Sequence, residues 1–152
     1  MLSKLNDFMS TIMGSAAAEN RPEHTLQLAT AVLLIEVMRS DYESTEQEQA
    51  TTLNILRERF ALADAEMAQL SELGHQSVKA ANDFQQFTSV LNRELAPTEK
   101  IRIIEYMWQV AYADNYISSH ENHLMRKVAA LLYIPHADYI AAKMRAKPAH
   151  LE

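Results

Sequence analysis

Apolar side chains recur along this chain at intervals of three and four residues, and almost nowhere at intervals of two. That is the period of an α-helix with one face turned inward. Residues 2–13 place Leu2, Leu5, Phe8, Met9, Ile12 and Met13 on one stripe, and the small, polar run 14–20 reads as a linker. Asn20-Arg21-Pro22-Glu23 has the form of a helix start: a capping residue, a proline near the first turn, then an acid. The run Leu26 to Met38 is nearly continuous in apolar residues and predicts a helix buried on most sides; Ser40 to Thr45 breaks it. A helix from Thr45 to Phe60 turns Leu53, Ile55, Leu56 and Phe60 inward. Asp64 is placed to cap a short helix through Leu73, which Gly74 ends. Val78, Phe84, Phe87, Val90 and Leu91 mark a helix within 76–93. Ala96-Pro97-Thr98-Glu99 starts another, with Ile101, Ile104, Met107, Trp108 and Val110 inside. Asp114 to Ser118 breaks that one, a helix runs from Ser118 to Tyr133, and Pro135 starts a last helix ending near Arg145.

The pattern therefore predicts an all-α fold, a single domain of seven to eight helices. It divides the chain into an N-terminal amphipathic helix and linker (1–19), a helical domain (20–146) and a flexible tail (147–152). The stripe on 2–13 is a docking element, either onto its own domain, which is the simpler outcome, or onto another chain. Only 2 glycines and 4 prolines stand in 152 residues, too few for the many turns of a sandwich, barrel or Rossmann fold. With no cysteine there is no disulfide, thiolate metal site or cysteine nucleophile. The net charge of −6 argues against a nucleic-acid partner held by a basic face. It is unevenly spread: residues 1–75 carry 5 basic and 12 acidic groups, residues 76–152 carry 9 and 8. The first half thus favours cations or basic partners. No stretch reaches the roughly 18 apolar residues of a membrane span, and Asn6 and Asp7 interrupt any signal-peptide core, so a cytoplasmic location without membrane insertion is expected.

One feature recurs at an offset of 73 residues. Val37, Asp41, Thr45 and Glu48 meet Val110, Asp114, Ser118 and Glu121; Ile55 meets Val128, Phe60 meets Tyr133, and Thr25 meets Thr98. Each copy is a helix, an acidic turn and a second helix, the pattern of duplicated helical pairs about a pseudo-two-fold axis. Two readings of the shared Asp-x-x-x-[Ser/Thr]-x-x-Glu stand side by side. In the structural one, Thr45 and Ser118 are N-caps, Glu48 and Glu121 complete capping boxes, and Asp41 and Asp114 fold onto loop amides. In the other, Asp41, Glu48, Asp114 and Glu121 face one another across the turns and hold a hard divalent cation such as calcium, magnesium or manganese. Neither turn has the twelve-residue spacing or the glycine of an EF-hand.

The second copy, Met107-Trp108-Gln-Val-Ala-Tyr-Ala-Asp114-Asn-Tyr-Ile-Ser-Ser-His-Glu121, followed by Leu131-Leu-Tyr-Ile-Pro, resembles the TerB-like tellurite-resistance domain. The resemblance covers roughly residues 25–145. It implies an all-helical, pseudo-two-fold fold and carries that family's proposed metal-binding acids onto Asp41, Glu48, Asp114 and Glu121. Tyr42 and Asn115 stand where the family has glycine, and tyrosine suits a left-handed backbone poorly. The resemblance further implies a non-enzymatic accessory module in a stress-response setting, with a protein partner, a homodimer, or an association with a membrane-linked complex. Tellurite itself is an oxyanion, and an acidic chain without a thiol is chemically unsuited to bind or reduce it.

Other constellations are weaker. His120 and His123 stand at i, i+3, where a zinc-protease helix needs i, i+4. Glu72 and His75 have di-iron spacing but no partner pair, and Gly74 lies between them. His136 is placed to cap the last helix. Trp108 with Tyr106 and Tyr112 lines either a pocket or the core, with the core favoured. Met9, Met13, Met38, Met67, Met107, Met125 and Met144 could line an adaptable groove, though most belong in a core. Alongside the cation-binding module stand a purely structural adaptor and, as the weakest reading, a metal-dependent hydrolase, for which no base and open metal position are apparent.

Overall fold

A computed structural model describes residues 23–39, 46–75, 82–113 and 119–147. These form seven helices: α1 (Glu23–Arg39), α2 (Glu46–Phe60), α3 (Asp64–His75), α4 (Asn82–Glu94), α5 (Pro97–Ala113), α6 (Ser119–Leu131) and α7 (His136–Ala146). No strand occurs among the described residues. The predicted helix at 2–13, the linker after it and the tail beyond 147 lie outside them.

Helix α1 is the axis of the fold. Leu26, Ala29, Ala31, Val32, Leu33 and Ile35 are buried, which leaves little of its circumference for water. A helix apolar on nearly all sides can only be satisfied by being surrounded. Accordingly α1 packs on α2, α3, α4 and α5. The most extensive helix–helix contact among the described residues joins α5 to α7, with Trp108 on one side and Tyr139 on the other. Thr30 is buried in α1 and donates its hydroxyl to the Leu26 carbonyl at 2.8 Å, so it brings no unsatisfied group into the core.

Helix ends differ in detail from the sequence expectation. Asp64 is the first residue of α3 and not its cap, and the helix continues through Gly74 to His75. Burial by α1 and α2 outweighs the modest helix penalty of one glycine. Helix α4 is described from Asn82, and the predicted start at 76 lies outside the described residues. Helix α6 stops at Leu131, because Tyr133 takes a left-handed backbone, φ 56°. Its end is a Schellman motif: the Ile134 N–H donates to the Ala129 carbonyl at 2.9 Å and the Tyr133 N–H to that of Ala130 at 3.1 Å. Helix α2 ends likewise, with Ala61 at φ 51° and the Leu62 N–H on the Arg57 carbonyl at 3.3 Å.

The two helix ends correct the register read from sequence. Ala61 matches Tyr133, and so the buried pairs are Leu56 with Val128, Phe60 with Leu132 and Leu62 with Ile134. That is one residue out of the 73-residue alignment, which paired buried Phe60 with Tyr133, a side chain 77% exposed. The starts of α2 and α6 keep the original spacing.

Candidate functional site

Four helices carry a glutamate as their third residue: Glu48 in α2, Glu66 in α3, Glu99 in α5 and Glu121 in α6. At that position a carboxylate can turn back and accept the N–H of the residue before the helix. Glu66 does this for Ala63 and Glu99 does it for Ala96, each at 2.8 Å. Alanine offers no capping oxygen, so the glutamate supplies the only side-chain half of the box. The second oxygen of Glu66 meets His24 Nε2 at 2.9 Å and ties the start of α1 to the start of α3. Helix α7 has Asp138 in third position, but its cap is Pro135, which has no N–H, and no side-chain cap bond forms.

The four predicted ligands are placed unequally. Glu48 lies exposed in the first turn of α2. Glu121 lies in the first turn of α6, its side chain outside the description. Asp41 and Asp114, like Thr45 and Ser118, fall outside the described residues. Among the described residues no three His, Asp or Glu side chains gather as a metal shell requires.

Polar groups that sequence reasoning passed over lie deeper. Glu36 on the last turns of α1 is 1% exposed and interacts with another group. Its signal was present: it is the single charge in the run Leu26 to Met38. Lys100, also buried, donates Nζ to Asn92 Oδ1 at 3.1 Å, while Asn92 Nδ2 donates to the Leu131 carbonyl at 2.8 Å. This chain joins α5 and α4 to the end of α6 and brings a cation towards its carbonyls. The ring of Tyr133 sits 5.9 Å from Lys100 Nζ. No spacing in the sequence announces the set, since its members come from three helices.

The aromatic trio is divided. Tyr106 turns to Phe60, edge-on at 5.3 Å, whereas Trp108 turns to Tyr139 at 5.6 Å and Tyr112 at 6.0 Å. Trp108 is fully buried and belongs to the core. Lys143 Nζ lies 4.9 Å from the centre of its ring, and the indole Nε1 of Trp108 finds no acceptor among the described residues. Burial raises the Tyr139 hydroxyl above the usual tyrosine range, opposed by the charge and hydrogen bond of Arg126; burial alone raises Tyr112. His136 stacks on Tyr139 at 5.9 Å and makes no cap. The methionines do not act together: Met107 and Met125 are core, Met67 is partly buried, and Met144 is exposed.

No helix of the described residues is long and apolar enough to cross a membrane. The family model described as tellurite resistance protein TerB matches residues 27–144. Comparisons with curated proteins and with solved structures each find no match.

Proposed function

The chain belongs to the TerB family, and on that footing we propose that it is a non-enzymatic accessory module binding a divalent cation at its paired acidic turns. Asp41 and Glu48 would serve one turn, Asp114 and Glu121 the other. The observation that carries the reading is the family match across both turns. The helix bounds support it, because they set Glu48 and Glu121 in the first turn after each gap. An all-oxygen donor set of carboxylates suits calcium, magnesium or manganese. The bound cation would join helix pairs that the acidic first half otherwise repels. The module would serve a protein partner in the cytoplasm, in a stress-response setting. Internal duplication of a helical pair, supported by the two like helix ends, would give the two turns equivalent roles.

A second reading is favoured by a specific observation. Glu66 and Glu99 occupy the same helical position as Glu48 and Glu121, and both act as caps. On this reading the acidic turns only start helices, and the protein is a structural adaptor.

Thermal unfolding in EDTA, then in excess calcium, magnesium, manganese or zinc, separates the two. Cation binding is expected to raise Tm by several degrees with one ion, and Asp41→Asn or Asp114→Asn to abolish the rise. No rise with any ion would leave the capping role alone.

A further inference from the structure

Among the described residues the large exposed apolar side chains are Tyr133, Ile140 and Met144, and two of the three stand one turn apart on α7. Ile140, Met144 and Ala137 form a stripe opposite the face that Tyr139 and Ala142 bury against α5. Most of the other large apolar side chains described on the seven helices are buried or packed against the core. The sequence carries a further apolar stripe ahead of the described residues: Leu2, Leu5, Phe8, Met9, Ile12 and Met13.

The route of the chain brings the two stripes within reach. Glu23, the first residue of α1, is ion-paired with Arg102 on α5. One turn further along α5, Glu105 accepts from Arg145 Nε at 2.9 Å, and Arg145 adjoins Met144. The start of α1 and the C-terminal end of α7 therefore lie on neighbouring turns of one helix, about 4.5 Å apart along its axis. Residues 14–22 can span at most about 30 Å when extended. Residues 2–13 as a helix measure about 18 Å, close to the roughly 16 Å of α7.

We propose that residues 2–13 form a helix that lies along the outer face of α7, with Ile12 and Met13 near Met144 and Leu5 towards Ala137. The contact covers both stripes with apolar surface from the same chain.

The lack of native cysteine makes the test direct. The full chain carrying Met13→Cys and Met144→Cys is treated with a short bis-maleimide at several dilutions. Met13→Cys with Ala68→Cys is the control, since Ala68 is exposed on α3 and His24 brings that helix equally close to the start of α1. The expected result is a cross-link within one chain, independent of dilution and at least fivefold faster than in the control. Met144→Cys alone should give no dimer at the same dilutions. Equal rates in the two pairs would overturn the proposal by showing an undocked segment. Linkage only between chains, fading on dilution, would overturn it in favour of a second copy on α7. Met144 is 60% exposed, so its replacement leaves the core intact.

Discussion

Ala61 and Tyr133 hold the left-handed position that ends a helix, where most chains place glycine. A Cβ there crowds the following carbonyl and costs about 1 kcal/mol. Ala61 is exposed, so its methyl group buries nothing in the core in return. Ala61→Gly is therefore expected to stabilise the protein by roughly 0.5–1 kcal/mol, read as a rise in the urea midpoint at unchanged slope. Tyr133 differs, because its ring lies near the Lys100 ammonium, so glycine there removes an interaction along with the strain. The gain from Tyr133→Gly should be smaller than from Ala61→Gly.

At the scale of the element, helix starts decide how the acidic residues are read. Glu66→Ala and Glu99→Ala are each expected to destabilise by about 1 kcal/mol through the lost cap. Glu99 should be the costlier because it is buried, and chemical denaturation of the two variants checks the order. The same substitution at Glu48 and Glu121, without added metal, measures how far these residues share that role. The legibility of the elements follows the same logic. Pro97 and Pro135 were reliable punctuation, since a proline fixes its own backbone angle wherever it stands. Gly74 misled, because its weak preference yields to packing of α3 on α1 and α2. The C-terminus of α6 was misplaced because nothing in tyrosine announces a left-handed turn. Asp41, Glu48, Asp114 and Glu121 were legible as a pattern, but the pattern alone does not distinguish a ligand from a cap. Glu66 and Glu99 supply the comparison, and their role appears only when the bond to the preceding amide is seen.

For the molecule as a whole, α7 is fastened to α5 by aromatic packing and to α6 by Arg126 on Tyr139. Tyr112 and Tyr139 keep their protons in the folded protein to higher pH than in the unfolded chain. Above the unfolded tyrosine value of about 10, the unfolded state loses protons that the folded state retains, so stability falls as pH rises. Below that value the full contribution is present. Tm is expected to decline as pH rises above about 10, and Tyr139→Phe together with Tyr112→Phe should flatten the decline.

The only tryptophan of the chain stands at that joint, with its ring enclosed by Tyr112, Tyr139 and Lys143. Its light emission consequently reports one event without any label. While α7 is seated, the indole is dry and should emit towards the blue, partly quenched by its charged neighbour. When α7 lifts, water reaches the ring and the band moves to the red. A titration with a cation or a partner can thus be followed in a cuvette, and a shift at constant helix content would locate the response at α7.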